Sequence, residues 1–351
     1  MKDKTHYIFL SDGYRGGAST FIYDHINYLV KKDKKISLID KNPKKTYGKL
    51  SKNIHLYKID KNKNTINKIL NTGNNKKFLF ITNYAFLIKY YFILKKFREN
   101  KNKVLLTIHS GLLSLSLKKY IAGLFFSLIY KNANFLFFGS SSAKNWWIQK
   151  YPWMKIKNSP VFFNGINLRK IRKIRKIDKK INITFAGRLE DENNPLLFLE
   201  IAKKILKVKK NIFFHLYGDG CLLANLRNEY REKNIKFHGW VKKNEIFKKT
   251  DLLLITSPIN NFPYVALEAK SYGIPVVSCS KGDISKIIRN GKDGFIKYTN
   301  KPDIMIILIN KILKNYKYFC HNSYLRSFKF DINISCKKFW RKIKIENYNS
   351  R

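Results

Sequence analysis

The 351-residue chain is long enough for two domains, each with its own core, and its 44% hydrophobic residues mark a globular protein. Four cysteines without C-x-x-C spacing argue against a zinc site or disulfide framework and for a reducing cytoplasm. No N-terminal stretch reads as a signal peptide, and the longest apolar run, Ile121–Tyr130, is about half a bilayer span. Lys and Arg number 71 against 23 Asp and Glu, a net charge of +48, but the lysines are spread along the whole chain, where a nucleic-acid reader would concentrate Arg and aromatics on one element.

In chain order, the first strand is Tyr7–Leu10, and the turn Ser11–Thr20 that follows carries Gly16-Gly17. Paired glycines let the backbone approach a ligand closely, and the helix start beyond them offers N–H groups to an anion. The spacing matches neither a Walker loop nor G-x-G-x-x-G. An amphipathic helix, Phe21–Val30, places Phe21, Ile22, Ile26, Leu29 and Val30 on one face. Strands are expected at Ile36–Ile39, Phe78–Thr82, Val104–Ile108, Phe135–Phe138 and Val161–Phe163. They are short and continuously apolar, as parallel strands covered on both faces are. His109 ends one of them and reads either as a structural histidine or as a residue at the mouth of a cleft. Leu112–Tyr130, with Leu113, Leu117, Ile121, Leu124, Phe125 and Leu128 flanked by Lys118 and Lys119, reads either as a core helix or as an interfacial one. Phe163-Asn164-Gly165 is a turn, and the basic segment Leu168–Lys180 is a linker.

A second series has strands at Ile183–Phe185, Ile212–Leu216, Ile235–Phe237, Leu252–Ile255, Val276–Ser278 and Phe295–Tyr298. Strands alternating with helices imply βαβ units and an open parallel sheet, and two series imply two doubly wound domains. Arg188 follows the first of these strands, its guanidinium fork suited either to phosphate oxygens or to a salt bridge with Glu190 or Asp191. Asn194 and Pro195 form an N-cap and first helical position. Tyr217–Gly220 and His238–Val241 are strand-to-helix turns, with Asp219 as a capping residue. Both turns are also placed to line a base pocket through Gly218 and Val241. Asn260–Tyr264 then leads into a short helix carrying Glu268, closed by Gly273 before the strand at Val276. That passage aims backbone N–H groups and one carboxylate at the strand ends, where nucleotides bind in open α/β sheets. The basic, aromatic tail Phe328–Tyr348 carries a helix around Cys336–Ile345.

In this order and spacing, these pieces resemble the retaining GT-B glycosyltransferases with a Glu-x7-Glu signature, the glycosyl transferases group 1. The resemblance runs over nearly the whole chain: Gly16-Gly17, the His109 turn, Asn164-Gly165, Gly187-Arg188-Leu189, Gly218-Asp219-Gly220, Gly239-Trp240-Val241 and the 260–295 segment. It implies an α/β fold of two Rossmann-like domains facing across a cleft. Residues 1–167 would form an acceptor-side domain, with a helix at about 328–351 packing back on it, and 168–327 would bind a nucleotide-sugar. By that resemblance Arg188 clamps the donor diphosphate, and Glu268 hydrogen-bonds the ribose. The backbone at Asn261, Phe262, Pro263 and Tyr264 cradles donor sugar or phosphate. Gly16-Gly17 closes over the diphosphate, and His109 lies beside the donor sugar. No metal and no cofactor are expected beyond the nucleoside-diphosphate sugar as co-substrate.

The chain departs from the signature at its first Glu, which is Asn260, and at the Lys that usually partners the Arg, which is Asn193. Either change removes a charge, and losing one preorganised contact of that kind costs about 2.7–4 kcal/mol in a transition state. Lys281 and Lys286 are candidates to compensate. The expected reaction is retaining transfer from a nucleoside-diphosphate sugar, UDP-linked by preference, to a hydroxyl of a lipid-linked or surface-polysaccharide acceptor at the cytoplasmic face of an anionic membrane. The rivals are a catalytically inactive GT-B scaffold, motivated by Asn260 and Asn193, and a nucleic-acid-binding protein, motivated by the charge. A glycosidase lacks its second carboxylate at Asn260.

Overall fold

The computed structural model of the protein describes residues 5–11, 17–42, 52–59, 66, 68–69, 76–82, 84–109, 117–168 and 180–349. Contacts divide the chain into two units: Met1–Asn164 together with Asn333–Arg351, and Gly165–Ile332. In the first unit, β1 (His6–Leu10), β2 (Lys35–Asp40), β3 (Ile54–Lys58), β4 (Lys77–Ile81), β5 (Lys103–Ile108) and β6 (Phe135–Phe138) form one parallel sheet in the order β3-β2-β1-β4-β5-β6. In the second, β7 (Ile181–Ala186), β8 (Ile212–Tyr217), β9 (Ile235–Phe237), β10 (Leu252–Ile255), β11 (Val276–Ser278) and β12 (Gly294–Ile296) lie in the order β12-β11-β10-β7-β8-β9. Both are the doubly wound order in which the third strand lies beside the second and the fourth beside the first. The direction of winding therefore switches between β1 and β4, and between β7 and β10.

Side-chain alternation explains how each sheet is covered. Along β10, Leu252 and Leu254 join the core shared with Phe198, Ile201 and Ile205 of the helix Pro195–Val208. Leu253 and Ile255 point the other way, into a core with Ala266, Leu267 and Ile287. Each fully buried aliphatic side chain contributes about 1.5–3 kcal/mol relative to exposure, so strands buried on both faces must be apolar throughout. Asn194 takes a left-handed φ of 47°, and its side chain accepts from Leu197 N at 3.2 Å. With Pro195 in the first position, the helix starts where the sequence places it.

Three elements differ from expectation. Val161–Phe163 makes only one bridge, Val161 to Phe138, in which Phe138 N donates to the Pro160 carbonyl at 3.0 Å and Phe162 N to the Phe138 carbonyl at 2.9 Å. The sixth strand of that sheet is instead β3, an edge strand whose His55 and Lys58 face solvent and hide its apolar pattern. The tail helix is longer than expected, Ile332–Asn349. Its Phe339 packs 5.1 Å from both Phe137 and Phe162, and Trp340 meets Tyr7 edge-on at 5.3 Å, so this helix covers the first unit's sheet. The first helix, Gly17–Val30, buries the expected Phe21, Ile22, Ile26 and Leu29 but also Asp24 and His25. Most of the linker at 168–180 lies outside the described residues.

Candidate active site

At the carboxyl edge of the second sheet, the loops after five strands are joined in one hydrogen-bonded rim. After β9, the Gly239 carbonyl accepts from Gly218 N, after β8, at 2.8 Å. Gly218 has a φ of 143°, and a Cβ there would lie 1.8 Å from the Gly187 carbonyl oxygen, so only glycine lets the loops after β7 and β8 cross. Leu189 N donates to the Asp219 carbonyl at 2.9 Å. Across the switch point, Thr256 Oγ1, after β10, donates to the Asn193 carbonyl at 3.1 Å. Asn260 N donates to the Lys281 carbonyl, after β11, at 2.9 Å. The Asn260 Nδ2 group donates to the hydroxyls of Ser257 and of Ser280, the latter at 2.9 Å.

Arg188 stands on this rim, exposed, with its guanidinium paired to Glu192 at 2.9 Å rather than to Glu190 or Asp191. The 3-10 turn Asp191–Asn193 brings Glu192 four residues on beneath the arginine, while Glu190 accepts from Cys221 Sγ at 3.4 Å. A solvated pair of this kind contributes little and leaves Arg188 able to exchange its partner for another anion. Asn193 Nδ2 donates to the Arg188 carbonyl at 2.8 Å, so this side chain shapes the arginine turn. Asp219 does not cap a helix: its Oδ1 accepts from the neighbouring Gly220 N at 2.8 Å, and the helix Leu223–Glu229 begins later without a side-chain cap.

The helix Tyr264–Ser271 follows Pro263, and no side chain caps its start. Asn261, Phe262 and Pro263 form its approach and are partly buried, Phe262 lying 6.0 Å from the Phe330 ring. Glu268 is half-buried in the helix, and Val241 packs against the core formed with Ala266 and Leu267. Sequence reasoning missed the anchor of this helix. Lys270, fully buried, donates to the Asp293 carboxylate and to its carbonyl at 3.0 Å, and Arg289 Nε donates to the same carboxylate at 2.7 Å. Burial lowers the Lys270 pKa to about 8, with Asp293 opposing the shift. Also unforeseen were Ser257 and Ser280, and a stacked pair in which His238 lies 4.3 Å from Tyr217 and bonds His215 at 2.9 Å. Lys281 and Lys286 are exposed, and the Lys286 carbonyl accepts from Arg326.

The first unit carries the remaining candidates. Gly16 lies outside the described residues, and Gly17 opens the helix Gly17–Val30 with its backbone exposed. His109 follows β5, its Nε2 in a hydrogen bond with Thr107 Oγ1 at 3.1 Å and its ring edge-on to Phe21 at 4.8 Å. A Cβ on Gly139 would approach His109 Nδ1 to 2.5 Å, so a glycine leaves room for the ring. Desolvation lowers the His109 pKa to about 4, which makes it a neutral hydrogen-bonding group at pH 7. Among the described residues no group of three or more His, Cys, Asp or Glu is arranged to hold a metal.

The glycosyl transferases group 1 family model matches residues 167–324. The chain is 29% identical over 201 residues to the Escherichia coli UDP-Gal:alpha-D-GlcNAc-diphosphoundecaprenol alpha-1,3-galactosyltransferase, covering 50% of this chain and 51% of that one. It is 28% identical over 148 residues to an uncharacterised 41.2 kDa protein in the cps region of Klebsiella pneumoniae, covering 39% and 40%. The chain thus spans about half, or less, of the length of these curated relatives. Anabaena Alr3699/HepE, crystallised with UDP-glucose, superposes with a TM-score of 0.76 at 15% identity, covering 97% of this chain and 99% of that one. The lipopolysaccharide outer core galactosyltransferase WaaB does so at 0.71 and 18%, with the same coverage. The fold is GT-B, with two Rossmann-like domains.

Proposed function

We propose, for a chain that belongs through residues 167–324 to the glycosyl transferases group 1 family, transfer of a sugar from a UDP-sugar to a hydroxyl of a lipid-linked or surface-polysaccharide acceptor, with retention at the anomeric carbon. The observation that carries this reading is the rim at the switch point of the second sheet. It joins an exposed Arg188, the Gly218 crossing and the Asn260 network on one edge, where α/β sheets bind nucleotides. The Escherichia coli relative is named for transfer from UDP-Gal to a diphosphoundecaprenol-linked acceptor, and Anabaena Alr3699/HepE was crystallised with UDP-glucose, which supports the choice of donor and acceptor classes.

Breaking the sugar–phosphate bond moves negative charge onto the diphosphate. Arg188 would leave Glu192 to meet that charge, aided by the backbone at the start of the helix Tyr264–Ser271. Asn193 would hold the turn that aims Arg188. Glu268 would bind the ribose hydroxyls, and the turns at Gly218 and Val241 would receive the base. Asn260 would present its Oδ1 to a sugar hydroxyl while its amide stays on the two serines. His109, neutral, would hydrogen-bond the donor sugar, and Gly16-Gly17 would approach the diphosphate. No resident metal is invoked. The protein would work in the cytoplasm, in peripheral contact with the membrane that holds the acceptor; no described helix is long and apolar enough to cross one.

A thermal-shift screen with UDP-sugars tests this reading. A true donor at 100 times its dissociation constant adds about 2.7 kcal/mol of stability, and Arg188→Ala and Glu268→Ala should each abolish the shift while Glu192→Ala keeps it. Full response in both of the first two variants would remove these residues from the donor site. A donor-dependent shift without turnover on any lipid-linked acceptor would favour the inactive scaffold that Asn193 and Asn260 suggest.

A further inference from the structure

The helix Leu117–Ile129 has two unlike faces. Phe126 and Ile129 enter the first unit's core against Trp147 and Tyr84. On the opposite side Ile121, Phe125 and Leu128 are 56%, 44% and 66% exposed, with Tyr120 and Leu124 exposed beside them. Positions 120, 121, 124, 125 and 128 form one stripe at helical spacing, so the outward face is apolar along two turns. Core packing therefore does not explain these residues. From the segment after the next helix, Trp153 joins the edge of the stripe, 52% exposed, with its indole Nε1 donating to Ser127 Oγ at 3.0 Å.

Lysines border this face. No Asp or Glu occurs between Glu99 and Asp178. Lys150 holds its ammonium 5.2 Å from the Tyr120 ring centroid, and the exposed Lys155 donates its backbone N–H to the Tyr130 hydroxyl at 2.8 Å. Lys131, directly after the helix, is exposed too. A second copy of this chain laid on the face would bring these lysines against one another.

We propose that this face docks the protein on an anionic bilayer: the aliphatic and aromatic side chains enter the headgroup–acyl boundary, Trp153 sits at headgroup depth, and the lysine border meets acidic lipid. It deepens the glycosyl-transfer reading, on which it rests for its purpose, by naming the surface that would bring the enzyme to a lipid-linked acceptor.

Co-sedimentation of the full chain with vesicles of phosphatidylcholine and phosphatidylglycerol, and with phosphatidylcholine alone, tests it. The wild type should partition into the anionic vesicles at physiological salt. Ile121→Ser/Leu128→Ser, which changes no charge, should partition roughly tenfold less, and Phe125→Ser alone should fall between them. Equal partition of all three would mean that overall charge alone drives binding, and the proposal fails. It fails too if the wild type ignores anionic vesicles, or if the double substitution dissociates an oligomer in vesicle-free buffer, which would assign the face to a second copy. Unfolding midpoints and the UDP-sugar shift, read on the same variants, separate this outcome from failure of the donor site.

Discussion

Asn260 is held by its neighbours as a hydrogen-bond donor. Ser280 Oγ donates to the Ser257 carbonyl at 2.5 Å, so its proton is committed, and the Asn260 amide fills an oxygen lone pair. A glutamate here would set carboxylate oxygens against hydroxyl lone pairs unless Ser280 gave up its bond to the backbone. Asn260→Glu, which restores the Glu-x7-Glu signature, should therefore lower the unfolding free energy by roughly 1–3 kcal/mol, the cost of polar groups left without partners. Urea titration at unchanged m-value measures this; a stability equal to wild type would mean that both hydroxyls turn to donate. The departure at position 260 was legible in the sequence, but its meaning was not. Ser257 and Ser280 look like ordinary loop serines until the β10 and β11 loops lie side by side.

Among the elements, the helix Tyr264–Ser271 is placed by contacts of two kinds, only one of which could be read in advance. Glycine positions were readable because they mark close approach: at Gly294, with a φ of 157°, a Cβ would meet the Val276 carbonyl oxygen at 2.2 Å. The apolar runs of the inner strands were readable because parallel strands are covered on both faces. Lys270 was not, since a lysine in a short helix reads as a solvated residue and its partner, Asp293, lies in a later loop. Nor was β3, whose exposed side chains mask its pairing. Removing one member of a buried ion pair strands the other, so Asp293→Ala should cost about 3–5 kcal/mol. The double variant Lys270→Met/Asp293→Ala should recover part of that loss, because an apolar replacement of both partners is often near neutral. Denaturation of the two variants compares them; equal losses would mean that Arg289 and the backbone carbonyl, rather than the pair, hold the loop.

Over the whole molecule, strand–helix alternation made two doubly wound sheets legible, whereas the burial of histidines in both units was not, because a histidine in an apolar strand gives no sign of its partners. His6 and His215 bond Ser37 and Asn182 across neighbouring strands, and His25 lies among Phe21, Phe339 and Trp340. Burial is the leading cause in each case and lowers the pKa of His6, His109 and His215 to about 4 and that of His25 to about 3, from 6.5. The folded values lie below the unfolded one. Between pH 6.5 and 4 the unfolded chain binds protons that the folded chain does not, and stability falls as pH falls through that window. Each such group removes up to about 1.4 kcal/mol per pH unit there. A second force acts in the same direction, since acid protonates carboxylates and adds to a net charge of +48, and self-repulsion opens the compact state. Salt distinguishes them: it screens exposed charges but reaches buried sites far less. Unfolding free energies at pH 7, 6 and 5 should drop steeply, and added salt should recover only part of the drop. Among the described residues the buried Nδ1 of His25 has no hydrogen-bond partner, so His25→Phe should be tolerated at pH 7 and flatten the acid slope by up to one proton. Complete recovery by salt, with an unchanged slope in that variant, would assign acid sensitivity to surface charge alone.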